Sequence, residues 1–272
     1  MDKVQLKAYA LLCPRRYADA VAEVMKEISR RSPAPRAQPF FGLDLPEGCG
    51  SHLLDRLSEL GIFRVYERVL EIGSALGGAS RWLFHRRGCR VVGVDPMVTV
   101  IAGSGVLTRR AHTEGRVCAA VAALDKLPVE GGAFTHVWSI ESLHRENAKA
   151  AVFREAFRAL RPGGFVAVQD WMATAGGSSS GPWWYEPLAA YVEAIRAAGF
   201  TEITASEVMH LREEDSAVAE IAWQRLGEIL GEALPSADRR ALDELSSALS
   251  EREEAAQAGR LRLHQVFGRK PA

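Results

Sequence analysis

Four acidic residues and a histidine follow short apolar runs, where a parallel α/β sheet presents its functional side chains. The acids are Glu71, Asp95, Glu141 and Asp170, and His144 lies shortly after Glu141. Because ligands of parallel sheets bind beyond the carboxyl ends of the strands, we expect these side chains to share one rim. Carboxylates suit a cationic or hydroxyl-rich ligand. A histidine, with an ordinary pKa of about 6.5, suits proton acceptance near neutral pH.

The stretch from Val69 to Gly78 is the one around which the chain is organised. Its apolar start predicts a buried strand, Gly73 and Gly77 predict a turn, and the next residues predict a helix. Glycines let a backbone approach a ligand, and a helix N-terminus offers unpaired N–H groups. The turn is not a phosphate loop, because it lacks Gly-Lys-Ser/Thr. A carboxylate at Glu71 would repel a pyrophosphate, whereas it could pair with an ammonium group.

The elements around this turn alternate between strand and helix, which predicts a doubly wound, parallel α/β sheet. Predicted strands cover 69–72, 90–94, 117–121, 135–140, 165–168 and 201–208, and a last strand begins at Leu261. Predicted helices cover 151–160, 217–234 and 237–249, and the 251–262 stretch reads as a solvated, charged helix. We divide the chain into an N-terminal helical segment (1–60), a core (61–208 with 260–272) and a helical insertion (209–259). The N-terminal segment is either a structural apron or part of a lid.

Composition excludes several classes of protein. The 272 residues carry 34 basic and 34 acidic side chains, so bulk charge favours neither nucleic acid nor an anionic membrane. The four cysteines are widely spaced, which argues against a zinc site and a disulfide framework and predicts no bound metal. Without a secretory signal or a run long enough to span a bilayer, we expect a cytoplasmic protein.

Two groups of motifs resemble those of the class I S-adenosylmethionine-dependent methyltransferases. The first is the acid and glycine pattern of Glu71, Gly73 and Gly77. The second is the block FTHVWSIESLH, LRPGG and VAVQD within residues 134–170. The block is most similar to the small-molecule branch, with natural-product sugar O-methyltransferases and, more distantly, glycine and sarcosine N-methyltransferases. Residues 65–172 and the closing strand at 267–271 carry the resemblance.

The resemblance implies a Rossmann-like methyltransferase fold and a cofactor. The fold is a seven-stranded, mostly parallel sheet, its last two strands antiparallel, with a helical lid. S-adenosylmethionine would be the methyl donor, S-adenosylhomocysteine the product and a small molecule the acceptor. Glu71 would lie near the cofactor's ammonium group and Asp95 would bind the ribose hydroxyls. The other implied cofactor contacts are Gly73, Ser74, Ala75, Gly77, Pro96, Met97, Ala122, Ala123, Leu124 and Ser139.

Two of these positions depart from the family pattern. Ala75 replaces the middle glycine of the turn, and Ala123 stands where the family usually has an acid for the adenine amino group. Loss of one charge-assisted hydrogen bond costs about 1.5–3 kcal/mol, which weakens cofactor binding without forbidding it. The departures leave open a fold relative that no longer methylates.

His144 is the candidate general base, with Asp170 to orient it or to hold a substrate hydroxyl. A base is needed for a hydroxyl acceptor, so O-methylation is slightly favoured over N- or C-methylation. The structural alternative is a histidine that caps the following helix. Glu141 and His210 are weaker candidates. Trp171, Trp183, Trp184 and Tyr185 form either an aromatic substrate wall or an anchor for a Gly/Ser-rich loop.

Two other functions remain open. The first is a methyltransferase-fold protein that catalyses a non-methyl reaction, such as a cyclisation, for which the family offers a precedent. The second is a non-catalytic binding subunit, in which the lid helices and the aromatic residues would form an interface. A homodimer is compatible with either function.

Overall fold

The computed structural model describes residues 1–29, 39–45, 51–174, 183–208, 217–232 and 239–272. The strands are β1 (Arg68–Ile72), β2 (Arg90–Asp95), β3 (Val117–Val121), β4 (Phe134–Ile140), β5 (Leu160–Ala173), β6 (Thr201–Val208) and β7 (Leu261–Arg269). The helices are α1 (Lys3–Leu12), α2 (Pro14–Ile28), α3 (Ser51–Leu60), α4 (Gly78–Arg87), α5 (Val98–Arg110), α6 (Lys149–Ala159), α7 (Leu188–Ala197), α8 (Ala217–Glu232) and α9 (Arg239–Gln257). A 3-10 turn, Leu143–Arg145, follows β4.

The strands form one seven-stranded sheet in the order β3-β2-β1-β4-β5-β7-β6. Strands β1 to β5 pair in parallel, and β7 pairs antiparallel with both β5 and β6. The strand order reverses between β1 and β4, so a crevice is expected where their carboxyl ends diverge. The predicted fold class is confirmed, including the antiparallel pair at the end of the chain.

Helices from both ends of the chain pack together on one side of the sheet. Helix α2 contacts α5 and α8, and α1 contacts α9. In α2 the apolar residues Tyr17, Val21, Val24 and Met25 recur at helical spacing, and all four are buried. Residues before β1 and residues between β6 and β7 thus form a joint helical layer. Within the described ranges, no helix has the length and apolarity needed to cross a membrane.

Three sequence expectations are corrected. Helix α9 runs to Gln257, and Arg252 within it is only 4% exposed, so the charged 251–262 stretch is not uniformly solvated. Strand β5 continues to Ala173 because its pairing with β7 is unbroken to that residue, and Asp170 therefore lies inside the strand. Cys118 lies in the predicted strand 117–121, a place that favours a core residue, but it is exposed because β3 forms one edge of the sheet. Helix α1 was not predicted.

Candidate functional site

The glycine turn after β1 is covered by the protein's own loops. Gly73 and Gly77 have φ angles of +70° and +78°, which favour glycine. A β-carbon at Gly73 would collide with the Ser142 side chain, and one at Gly78 would collide with the Asp44 carbonyl. These glycines therefore allow the loop after β4 and the 39–45 segment to lie directly against the turn.

Ala75 adopts a left-handed conformation, which favours glycine, with φ at +45°. Its N–H points to the end of β2, where it donates to Asp95 Oδ2 at 3.2 Å. The N–H of Met97 donates to the other oxygen, Asp95 Oδ1, at 3.0 Å. Burial is the main reason that the pKa of Asp95 is raised. The backbone thus holds this half-buried carboxylate in a fixed orientation beside the turn, with lone pairs left for further donors.

Glu71 is buried beneath the turn, and its carboxylate accepts a hydrogen bond from the Ser80 hydroxyl on α4. Burial raises its pKa from 4.5 to about 7, and the hydrogen bond from Ser80 and the charge of Arg81 oppose that rise. The carboxylate thus anchors the start of α4 to the end of β1. Its pairing with a cofactor ammonium group stays a prediction.

An apolar rim extends past Asp95 at the ends of β2 and β3. The large side chains of Met97, Val98 and Val121 are unusually exposed there, at 45%, 68% and 45%. Pro96 and Ala123 are also exposed, and Ala122 and Leu124 are buried below them. An open apolar surface beside a fixed carboxylate suits the adenine and ribose of a nucleoside, and the residues present therefore fit the adenosyl part of the expected cofactor.

Ser139 and Ser74 are buried beside the glycine turn. The Ser139 hydroxyl donates to the Ile72 carbonyl at 2.9 Å and lies 3.2 Å from the Ser142 hydroxyl. Ser74 packs against Gly93, and its buried hydroxyl has no hydrogen-bond partner among the described residues. Such an orphaned polar atom is unusual in a folded protein.

A buried ion pair holds the 39–45 segment against the glycine turn. The sequence did not reveal this pair. Arg81 and Asp44 are both buried, with Nη2 to Oδ2 at 2.8 Å and Nε to Oδ2 at 3.0 Å. Arg81 Nη2 also donates to the Leu76 carbonyl at 2.7 Å. One guanidinium thus ties the 39–45 segment to the turn and to α4.

The second half of the site is a buried pair of His144 and Asp170. His144 Nδ1 lies 2.6 Å from Asp170 Oδ1, and the His144 backbone N–H donates to Asp170 Oδ2 at 2.7 Å. The same carboxylate accepts the Trp171 N–H at 2.9 Å and the Tyr191 hydroxyl at 2.8 Å. Because an ionised carboxylate only accepts, Nδ1 is the donor in this contact, and Nε2 is the nitrogen left to accept a proton when the ring is neutral.

The Nε2 atom of His144 is buried and has no hydrogen-bond partner among the described residues. The Tyr185 ring stacks on the imidazole at 5.4 Å, and the Trp183 ring meets it edge-on at 6.0 Å. The segment that carries these rings is held by the Trp184 N–H, which donates to the His144 carbonyl at 2.6 Å. Trp183 and Tyr185, which we call the aromatic enclosure, thus flank the His144 imidazole. Its Nε2 atom is buried there without a partner among the described residues. Trp184 itself is exposed.

Glu141 contributes a buried carboxylate beside this enclosure. It has a φ of +48°, and it accepts hydrogen bonds of 3.0 Å from Gln169 Nε2 and Trp171 Nε1. Gln169 in turn accepts from Gln265 Nε2 at 2.8 Å. The side-chain amides of Gln265 and Gln169 thus hold the Glu141 carboxylate in position, and that carboxylate orients the indole of Trp171.

Arg145 lies between the two halves. Its positive charge is near enough to Asp95 to oppose the rise in that carboxyl's pKa, and its Cζ lies 5.7 Å from the Trp183 ring centroid. Arg145 thus lies near both Asp95, a predicted cofactor residue, and Trp183, which contacts the predicted base. The sequence missed Lys149, whose buried amine donates to the Trp184 carbonyl at 3.0 Å, because a lysine ordinarily indicates a solvated face. His210 lies outside the described residues.

Comparisons with known proteins bear on the family and on the fold. Residues 70–168 match the family model described as a methyltransferase domain. The 27-O-demethylrifamycin SV methyltransferase of Amycolatopsis mediterranei is 29% identical over 46% of each chain. The chain matches less than half the length of that relative, and the same holds for methyltransferase GfsG of Streptomyces halstedii, at 44%.

Two solved structures share the fold. Phosphoethanolamine N-methyltransferase 2 of Haemonchus contortus, in complex with S-adenosyl-L-methionine, has a TM-score of 0.68 at 19% identity, over 91% of this chain and 60% of that one. The [4+2]-cyclase SpnF has a TM-score of 0.65 at 20% identity, over 88% of this chain and 98% of that one. The resemblance noted in the sequence is confirmed over residues 70–168.

Proposed function

We propose, on the premise that residues 70–168 form a class I methyltransferase domain, that this protein methylates a small molecule with S-adenosylmethionine. The favoured acceptor atom is a hydroxyl oxygen. The observation that carries this preference is the buried Nε2 of His144, which has no partner among the described residues while Asp170 engages Nδ1. A neutral amine acceptor would need no such base.

The cofactor supplies an electrophilic methyl group when bound. Asp95, oriented by the backbone N–H groups of Ala75 and Met97, would accept hydrogen bonds from the ribose hydroxyls. The apolar rim of Met97, Val98 and Val121 would flank the adenine. The glycine turn would lie along the methionine part.

The chain's own chemistry is proton transfer in an enclosed space. His144 Nε2 would accept the proton that the acceptor hydroxyl loses on methylation, and Asp170 would stabilise the imidazolium that forms. Trp183 and Tyr185 exclude water from that atom. Helices α1, α2, α8 and α9, which belong to the predicted lid segments 1–60 and 209–259, would cover the rim as a lid. Natural-product chemistry is the favoured setting, because the relatives include a rifamycin methyltransferase.

A non-methyl reaction is the second candidate. It is favoured by the fold likeness to a [4+2]-cyclase and by Ala75 and Ala123, which depart from the cofactor pattern. The same enclosure would then bind a reactant without proton transfer. In that case substitution of His144 would leave turnover intact.

Release of S-adenosylhomocysteine tests the proposal. Small phenols and sugars are supplied with S-adenosylmethionine, and methylated product is identified by mass spectrometry. His144→Gln should lower turnover about 10²–10⁴-fold. His112→Asn is the matched control, because His112 is exposed with a φ of +54° that asparagine tolerates. Equal turnover in wild type and His144→Gln would remove the base from the mechanism.

A further inference from the structure

Lys149, at the start of α6, is a lysine with a buried amine. Its side chain is only 2% exposed, although a lysine is almost never fully buried unless its charge is paired. Nζ donates to the Glu146 carbonyl at 2.6 Å and to the Trp184 carbonyl at 3.0 Å, and Glu186 Oε1 lies 3.8 Å away. Burial lowers the pKa of the amine, and the charges of Glu186, Asp170 and Glu146 oppose the fall. The ammonium group thus lies among two carbonyls and a carboxylate, which match its three donors.

The Trp184 peptide is held from both sides. Its N–H donates to the His144 carbonyl at 2.6 Å, and its carbonyl accepts from Lys149. The residues directly before and after it are Trp183 and Tyr185, whose rings flank the imidazole. Lys149 therefore fastens the aromatic enclosure to the part of the chain that carries the proposed base.

A second route connects Lys149 with His144. Nζ lies over the Tyr191 ring, 5.6 Å from its centroid, a distance at which a cation is attracted to an aromatic face. The hydroxyl of that ring donates to Asp170 Oδ2 at 2.8 Å, and Asp170 Oδ1 contacts the imidazole. A buried positive charge is thus held near the carboxylate that orients the base.

The segment that Lys149 holds is short. Residues 183–187 lie outside the nine helices and the seven strands of the described chain. A further backbone contact, from the Ala173 N–H to the Glu186 carbonyl at 3.0 Å, ties the segment to the end of β5. Segments outside regular structure open locally at a low free energy, and a hydrogen bond from a charged donor is among the stronger contacts that oppose opening.

We propose that Lys149 is a positioning residue, which holds Trp183 and Tyr185 beside the His144 imidazole and thereby sets how tightly the acceptor molecule binds. This inference rests on the proposed function, in which the enclosure receives the acceptor. Lys149 acts through the Trp184 peptide and not on the reacting atoms. Without its ammonium group the 183–187 segment opens more often, and only the closed fraction of the protein binds the acceptor.

Amide hydrogen exchange of the full-length protein tests the positioning without any substrate. Lys149→Met keeps an unbranched apolar side chain but removes the charge and the donors. The Trp184 amide should exchange about tenfold faster or more in this variant, whereas amides in the middle of β4 and β5 should keep their wild-type rates. Lys149→Gln replaces Lys149→Met if thermal unfolding shows that the methionine variant is not folded.

Lys270→Met is the matched control. Lys270 Nζ also donates to two carbonyls, those of Phe157 at 2.8 Å and Leu160 at 2.7 Å, and it lies 4.5 Å from the Phe157 ring centroid. These partners lie at the opposite end of α6 from Lys149. The control thus loses the same kind of contact, and it should leave the Trp184 amide unchanged.

Steady-state kinetics test the consequence for the acceptor, with a phenol or sugar that the wild type methylates. Lys149→Met should raise the KM of the acceptor about tenfold or more, and it should leave the KM of S-adenosylmethionine within about twofold. A general loss of folded protein would lower the apparent kcat and leave both KM values unchanged. Lys149→Arg keeps the charge and the donors and should restore part of the acceptor affinity.

Wild-type exchange at Trp184 in the neutral Lys149 variant would overturn the proposal. So would equal effects of Lys149→Met and Lys270→Met on the acceptor KM. Faster exchange with an unchanged acceptor KM would overturn this inference alone. Absence of methylated product from the wild type with every phenol and sugar supplied would overturn the proposed function, and with it the role of Lys149 in the reaction.

Discussion

Asp170 contacts His144 twice, through the ring Nδ1 at 2.6 Å and through the backbone N–H at 2.7 Å. The two contacts fix both the position and the tautomer of the imidazole. The sequence separation of 26 residues is closed because β4 and β5 are parallel neighbours and the turn after β4 folds back over β5. The pair is therefore a direct product of the sheet topology.

Removal of the Asp170 charge should impair the base more than the fold. Asp170→Asn should lower turnover on a hydroxyl acceptor about 10–100-fold, because loss of a charge-assisted hydrogen bond is worth about 1.5–3 kcal/mol. Steady-state kinetics across pH measure the loss. Tyr191→Phe, which removes one neutral donor from the same carboxylate, should cost only a few-fold. Comparable losses in the two variants would contradict the orienting role.

Glu71 should make stability depend on pH between about 4.5 and 7. Its pKa is raised by burial to about 7, so the folded chain holds more protons than the unfolded chain in that interval. The free energy of unfolding therefore falls as the pH rises through the interval and levels off above pH 7. The full change is about 3 kcal/mol.

Urea unfolding of wild type and Glu71→Gln from pH 5 to pH 8 isolates this contribution. The glutamine keeps an oxygen that accepts from Ser80 but does not titrate. As the pH rises, the free energy of unfolding of Glu71→Gln should increase relative to that of wild type by about 3 kcal/mol. Parallel stability profiles would show that Glu71 does not titrate in this range.

The left-handed backbone at Ala75 should favour glycine. A non-glycine residue in that conformation costs about 1–2 kcal/mol, partly offset by the extra chain entropy of glycine, about 0.5–1 kcal/mol. Ala75→Gly should therefore be neutral to about 1 kcal/mol more stable, whereas Ala75→Val should lose at least about 1 kcal/mol. Chemical denaturation measures both. A destabilised glycine variant would contradict the conformation seen here.

Breaking the ion pair of Asp44 and Arg81 should lower the free energy of unfolding strongly, because it leaves a buried charge without its partner. Asp44→Ala leaves a buried guanidinium without its carboxylate and should cost about 3–5 kcal/mol. Asp19→Ala, which breaks the half-exposed pair with Arg15, should cost at most about 1 kcal/mol. Chemical denaturation of the two variants gives the comparison. Equal losses would mean that the 39–45 segment is not fastened to the turn.

The sequence predicted most of the sheet because strand signals are local. Strands β3 and β6 have the predicted bounds, and β1 and β2 differ by one residue. The end of β5 was not predicted, because its last residues are held by pairing with β7, nearly a hundred residues away in the chain. A long-range partner of that kind leaves no local pattern.

The sequence could predict the site residues that lie at the carboxyl ends of strands, because the sheet topology brings those ends together. The sequence assigned Asp170 either to orient His144 or to hold a substrate hydroxyl, and the structure brings the two side chains into contact. Arg252, Arg81 and Lys149 were not singled out, because a charged residue on a helix ordinarily faces solvent and nothing local marks the one that is buried. Their partners lie on other elements, so only the fold reveals them.

Calorimetric titration of the protein with S-adenosylmethionine and S-adenosylhomocysteine tests the central claim most directly. We expect saturable binding of both ligands, with Asp95→Asn weaker by about tenfold or more because a charged acceptor for the ribose is lost. Ala123→Asp, which restores the family's acid, should bind at least as tightly as wild type. Absence of heat and of any thermal shift at millimolar ligand would contradict the assignment of this rim to a sulfonium nucleoside.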